Sequence, residues 1–179
     1  GLLVIIFAKN TIKNSVREIN DTEKKLGFKN NFGNKGAVAI RVDIGTAKFW
    51  FSNSHLESGS GNLAKRVRQI GELHRVPGYF GTMFDTREIA EYKDHTGRTS
   101  GFEIFDFVFF WGDLNFRIDQ KDKFITWQVE TGNYQELLKF DELNHLRRHN
   151  EDLKKYIEHE VKFRPSYKVK VKSKNHEYE

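Results

Sequence analysis

Phe109-Phe110-Trp111-Gly112-Asp113-Leu114-Asn115-Phe116-Arg117 decides how this chain is read. It completes Ile104 to Trp111, the most apolar run in the protein, which only Asp106 interrupts. A short apolar run of this kind is the pattern of a buried strand, and it predicts a central one. The run breaks at Gly112, and Asp113 and Asn115 follow two residues apart. In an extended segment both polar side chains then point to the same side, at the carboxyl end of the sheet. Gly-Asp-x-Asn is also an ordinary turn sequence, and both readings stand at this point.

A second aromatic run ends the same way. Phe49-Trp50-Phe51-Ser52-Asn53-Ser54-His55-Leu56-Glu57 passes from rings into Asn53 and His55, again two apart. One histidine at a strand end is commonly structural, but two such ends point to a shared polar site, because sites on α/β sheets collect there. Ahead of it, Ala37 to Asp43 alternates, with Val38, Ile40 and Val42 on one face and Arg41 on the other. With Lys48 to Asn53 after Gly45 it predicts an antiparallel hairpin.

Outward from this centre, Leu2 to Ala8 reads as a strand buried on both faces, and polar Asn10 to Asn31 as a surface connection or short helix. Asn62 to Arg75 sets Leu63, Val67, Ile70 and His74 at helical spacing, with Lys65, Arg66 and Arg68 turned outward. Pro77 to Glu103 has no clean period and reads as a long loop or insertion. Helical patterns return around Lys121 to Val129 and Asn133 to Arg148, and Lys162 to Lys174 is extended in character. Strands and helices are interspersed without strict alternation, so the class is α/β (α+β) with a mixed sheet, and residues 1–179 read as one domain.

Composition removes whole classes of function. At 37% hydrophobic and 14% aromatic residues the chain folds rather than staying disordered. It has no cysteine, which excludes a disulfide scaffold, a thiolate metal site and a cysteine nucleophile. Leu2 to Ala8 falls far short of the roughly 20 residues needed to span a bilayer. The net charge of +5 weakly favours a polyanionic partner. Its distribution says more: from Val161 to Asn175 there is no acid, and Lys162, Arg164, Lys168, Lys170, Lys172 and Lys174 give that stretch alone +6. It borders an anion site, or it is a solvated edge whose lysines block aggregation.

Asp, Asn and His without thiols suit a hard cation such as magnesium, and with it phosphoryl transfer to water. Phe32-Gly33-Asn34-Lys35-Gly36-Ala37 can bring backbone amides and a lysine to a phosphate, though hairpin entries often look alike. In Phe163-Arg164-Pro165-Ser166-Tyr167-Lys168 a stiff approach carries a phenol and an ammonium, both donors to an anionic oxygen. His145 and His149 stand four apart, but Leu146 occupies the position where a zinc protease has Glu. Tyr79, Phe80, Met83 and Phe84 suit membrane insertion or loop packing.

These stretches, in this order, resemble the inositol polyphosphate 5-phosphatase family. Trp111 to Arg117 is similar to that family's Trp-x-Gly-Asp-x-Asn-Tyr/Phe-Arg signature. Gly33 to Arg41, Asn53 to Leu56 and Phe163 to Lys168 flank it in the expected order, and Leu3 to Lys9 is similar to the strand before them. The resemblance implies a DNase-like four-layer sandwich of two mixed sheets flanked by helices, and magnesium-dependent removal of the 5-phosphate from phosphoinositides or soluble inositol phosphates. Asp113 would then orient or deprotonate the attacking water, and Asn115 and His55 would bind oxygens of the 5-phosphate. Tyr167 and Lys168 would contact the 4-phosphate, Asn34 and Lys35 would lie near the 1-phosphate, and Asn53 and Arg117 would support. It further implies a cytoplasmic protein peripheral to an acidic membrane surface, with no nucleic acid partner.

The chain departs from the family pattern at Arg164, usually uncharged, and in Val169-Lys170-Val171-Lys172 where Tyr-Asp is more common. The family's metal-binding Glu is expected upstream of residue 1, and its Pro-Ser/Ala-Trp-Cys-Asp-Arg and Ser-Asp-His elements beyond Glu179. On that reading these residues are the central piece of a domain truncated at both ends, inactive alone. The rivals are a nuclease of the same fold and a non-catalytic phosphoinositide-binding module.

Overall fold

The computed structural model describes residues 1–27, 34–76, 99–100 and 104–167, which form two compact units, 1–115 and 116–179. Lys168, Lys170, Lys172 and Lys174, and also Tyr79, Phe80, Met83 and Phe84, lie outside the described residues.

The first unit is built on a four-stranded mixed sheet. Its strands are β1 (Val16–Lys25), β2 (Gly36–Ile44), β3 (Ala47–His55) and β6 (Phe107–Asp113), in the spatial order β1-β2-β3-β6. Two short strands, β4 (Arg75–Val76) and β5 (Thr99–Ser100), pair separately. The expected hairpin is present: β2 and β3 run antiparallel from Ile44 opposite Ala47 to Gly36 opposite His55. Gly45 makes the reversal at φ 62, a conformation costly for a side chain with Cβ. β6 then joins β3 in parallel, Phe49 opposite Phe107 through His55 opposite Asp113.

Period-two alternation sorts the two faces. Phe49 stacks on Phe107 at 4.8 Å between ring centroids, and Phe51 on Phe109 at 4.9 Å. Further along this face come Asn53 beside Trp111, then His55 beside Asp113. The opposite face buries Trp50, Ser52, Ser54 and Leu56. Helix α1 (Leu63–His74) covers it with Ile70, Leu73 and His74, whose imidazole meets the Phe110 ring edge-on at 5.0 Å.

Several expectations are corrected here. Leu2 to Ala8 forms no ladder, and Leu3, Ile5 and Phe7 are exposed, because an apolar run becomes a strand only where a partner offers its backbone. Part of the polar segment after it is instead the strand β1, whose charges suit its place at the sheet's edge. Asp106 precedes β6 rather than sitting within it, and its carboxylate accepts from the Lys48 amide at 2.8 Å. Among the described residues β6 ends the sheet order and is not central, and its Phe107, Phe109 and Trp111 are exposed rather than buried, because no described strand or helix covers that face at the sheet's end.

Arg41 does not face water: it is 3% exposed, doubly bonded to Asp43 at 2.6 and 2.9 Å, with Glu18 at 3.4 Å. Arg66 is likewise fully buried, and its guanidinium donates to the carbonyls of Glu57 and Gly59. Burial tolerates Arg41 because carboxylates pair it, and Arg66 because backbone carbonyls accept from its guanidinium. The segment 162–167 carries no strand.

The second unit holds α2 (Asp122–Glu130), α3 (Tyr134–Leu138) and α4 (Glu142–His149), around Val129, Leu137 and Leu153. The predicted helix 133–148 is thus two helices, broken where Asp141 caps α4 by accepting from the Asn144 amide at 2.7 Å. Burial raises the Asp141 carboxyl above the ordinary range, helped by Glu158 and Glu142 and opposed by the capping amides. A raised carboxyl favours folding below its unfolded pKa, and that contribution is lost as pH rises through the folded one. Asp141→Asn, which keeps the capping oxygen and loses the charge, should therefore gain stability over the native chain as pH goes from 3 to 7. Asp141→Ala should fall about 1 kcal/mol below Asp141→Asn at pH 7. Urea unfolding at both pH values measures the two differences.

Candidate active site

Because β3 and β6 are parallel, their carboxyl ends emerge at the same edge of the sheet, and their aromatic runs deliver His55 and Asp113 as direct neighbours. His55 Nε2 stands 3.4 Å from Asp113 Oδ2, with the carboxylate largely in solvent. The backbone locks the pair in place: the Leu56 amide donates to the Asp113 carbonyl at 3.0 Å. Asn115 then turns into the left-handed region at φ 57, where asparagine is among the few tolerated side chains. The expected alternation therefore stops at Asp113. The Asn115 amide reaches back to donate to the Leu56 carbonyl at 3.1 Å, beside His55.

Gly112 makes this closeness possible. Its φ is 131, and a Cβ there would lie 2.0 Å from the Ser54 carbonyl oxygen and 2.6 Å from Asn53 Oδ1. Asn53 donates its amide to the Leu3 carbonyl at 3.0 Å, so it holds the amino-terminal segment beside β3.

Lys35 enters from the third motif. It precedes β2, whose first residue, Gly36, lies opposite His55. Its side chain is buried and its Nζ sits 2.6 Å from His55 Nε2. No local pattern around Lys35 names this contact, although the register counted outward from the Gly45 turn carries the signal. Asn34, one residue earlier, is exposed. Arg117 and Tyr167 belong to the second unit, where the Arg117 amide donates to Glu142 Oε2 at 3.0 Å and Tyr167 is exposed. His145 and His149 lie with rings 4.7 Å apart on α4.

Among the described residues no three His, Asp or Glu side chains converge on a metal position. An exposed carboxylate and an amide, without sulfur, nonetheless fit magnesium, which commonly takes one or two carboxylates and fills its shell with water and phosphate oxygens. No described helix is long and apolar enough to cross a membrane.

Compared with known proteins, residues 1–179 match the family described as Endonuclease/Exonuclease/phosphatase family 2. The chain is similar to the polyphosphatidylinositol phosphatase INP53 of Saccharomyces cerevisiae, 31% identical over 94% of this chain and 14% of that protein. It is similar to the human phosphatidylinositol 3,4,5-trisphosphate 5-phosphatase 2, 26% identical over 98% of this chain and 13% of the relative. The chain therefore spans about one seventh of the length of these curated relatives. Among solved structures it is similar to the inositol polyphosphate 5-phosphatase domain of SPsynaptojanin, in complex with inositol (1,4)-bisphosphate and calcium ion. That match has a TM-score of 0.68 and 26% identity, over 94% of this chain and 44% of that one. A Cimex nitrophorin ferrous NO complex shares the fold alone, with a TM-score of 0.57 and 20% identity.

Proposed function

The chain belongs to the Endonuclease/Exonuclease/phosphatase family 2, and from that premise we propose that residues 1–179 are part of a single catalytic domain that removes the 5-phosphate of phosphoinositides or soluble inositol polyphosphates. One observation carries this reading: an acid and an imidazole 3.4 Å apart, with an amide beside them, at the joined carboxyl ends of two parallel strands. The names of the relatives, phosphoinositide and inositol phosphate phosphatases, support the substrate class.

A phosphate monoester near neutral pH carries close to two negative charges, which repel an incoming oxygen nucleophile and make the uncatalysed reaction extremely slow. Asp113 orients the attacking water and takes its proton. Asn115 and His55 bind non-bridging oxygens of the 5-phosphate and disperse its charge while the water oxygen bonds to phosphorus and the bond from phosphorus to the inositol 5-oxygen breaks, that oxygen taking a proton from solvent to leave as the alcohol. Asp113 would also contribute an oxygen to magnesium, which when bound supplies Lewis-acid neutralisation of the phosphate. By the family resemblance Asn34 and Lys35 would lie near the 1-phosphate, Tyr167 and Lys168 would contact the 4-phosphate, and Asn53 and Arg117 would support. The charge of the +6 stretch would favour peripheral binding to an acidic bilayer from the cytoplasm.

The test uses the full-length protein with magnesium. Release of one phosphate from phosphatidylinositol 4,5-bisphosphate, and none from the lipid lacking the 5-phosphate, is the expected result. Nicking of plasmid DNA without that release would favour the nuclease, and lipid binding without turnover the recruitment module. Within the same assay Lys168→Met should cost about tenfold or more on substrates bearing a 4-phosphate, the weight of one charged hydrogen bond. An equal loss on substrates without that phosphate would remove Lys168 from the contact.

A further inference from the structure

Resting on the phosphatase reading, we infer that Lys35 is the positioning residue of His55: its ammonium fixes the imidazole tautomer and so keeps Asp113 free of the ring. Lysine has three donors and no acceptor. At 2.6 Å from Nζ, the Nε2 atom of His55 must therefore present its lone pair. A hydrogen on Nε2 would set donor against donor. The ring hydrogen then resides on Nδ1, which is the nitrogen left to donate to a phosphate oxygen.

The consequence falls on the acid. Nε2 is also the ring atom 3.4 Å from Asp113 Oδ2, and with its lone pair given to Lys35 it has no hydrogen for that carboxylate. Asp113 keeps both oxygens for water and cation. Without Lys35, Nε2 would carry the hydrogen and donate it to Asp113, a charge-assisted bond that would occupy the base.

Burial and backbone both fit this role. Lys35 is 9% exposed, and a buried ammonium needs a partner. Its carbonyl accepts from the Leu26 amide at 2.9 Å, which pins the residue just ahead of the β2 register that faces His55. A lysine so committed acts through the ring, not on the phosphate that links the inositol to lipid.

The experiment is a double-mutant cycle in the full-length protein with Lys35→Met, His55→Ala and the double variant. Substrates are inositol 1,4,5-trisphosphate and inositol 4,5-bisphosphate, which lacks the 1-phosphate. Lys35→Met should lower kcat about a hundredfold on both, the usual weight of a misplaced catalytic group, with KM within about threefold. The double variant should be no slower than His55→Ala alone. A loss seen in KM, confined to the 1-phosphate substrate and additive with His55→Ala, would overturn the assignment. Melting curves accompany each variant, and if Lys35→Met does not fold, the cycle is read with Lys35→Gln, which retains a donor and should stay within about tenfold of the native kcat.

A second readout needs no turnover. Diethyl pyrocarbonate acylates an imidazole lone pair that no hydrogen bond holds; with Lys35 present that lone pair is bonded at Nε2, and without it the lone pair is unbonded at Nδ1, so removing Lys35 should speed modification of His55 about tenfold, the release of one such hydrogen bond. An unchanged rate by mass spectrometry would refute the contact. If the native protein releases no phosphate, the phosphatase reading fails, while this rate still decides whether Lys35 holds the ring.

Discussion

Asp113→Ala in the full-length protein should lower phosphate release by about 10² to 10⁴, the range for losing a positioned general base, while substrate affinity is kept or improved. The affinity half of this prediction is electrostatic: the variant deletes a negative charge that faces a phosphate bearing nearly two. The fold should not suffer, because the side chain is largely exposed and the bond tying this residue to Leu56 uses the backbone carbonyl. Asp113→Asn separates shape from charge. It keeps an acceptor and the side-chain volume but has little basicity, so it should fall nearly as far as the alanine variant. If Asp113→Asn retained more than a tenth of native kcat, proton abstraction would belong to another group. Turnover with magnesium, together with binding of phosphatidylinositol 4,5-bisphosphate vesicles, measures both halves.

The meeting of the two polar strand ends was more legible than the sheet around it, for a physical reason. Where rings alternate along a strand and give way to polar residues at the same period, one face of the strand is marked along its length, whether or not its rings are buried; here Phe107, Phe109 and Trp111 are exposed. Both Phe49 to His55 and Phe107 to Asp113 do this, and the structure sets their ends side by side. The helix α1 was legible in the same way from Leu63, Val67, Ile70 and His74.

What stayed hidden depended on partners that no local pattern names. β1 is mostly charged because an edge strand needs few apolar contacts, and only its ladder with β2 identifies it. Leu2 to Ala8 is the converse: strongly apolar, yet without ladder partners among the described residues. Arg41 and Arg66 read as surface charges because burial of an arginine is decided by acceptors that helix or strand periodicity does not name, here Asp43 and Glu18 for one and the Glu57 and Gly59 carbonyls for the other. Asn115 broke the expected alternation through a left-handed backbone, which its residue type permits but does not require.

Gly112→Ala should destabilise the protein by roughly 3 to 5 kcal/mol, at the upper end for a single methyl, because two independent penalties meet there. The first is conformational: φ 131 is a region that residues with a Cβ rarely enter, costing about 1 to 3 kcal/mol. The second is steric and comes from backbone rather than from a side chain able to swing away. The new Cβ would lie 2.0 Å from the Ser54 oxygen and 2.7 Å from the Ser54 nitrogen, so β3 and β6 would have to part. Overpacking of this kind adds about 1 to 3 kcal/mol. Since Gly112 lies between Trp111 and Asp113, the strands would part next to the His55–Asp113 pair, and any folded variant should also lose turnover. Gly61→Ala serves as the control, with nothing within 4 Å of its Cβ and an expected change within about 0.5 kcal/mol. Urea midpoints for the two variants make the comparison. A Gly112→Ala protein as stable as the control would mean that the parallel strands do not approach so closely, and the carboxylate would then have no fixed place beside the imidazole.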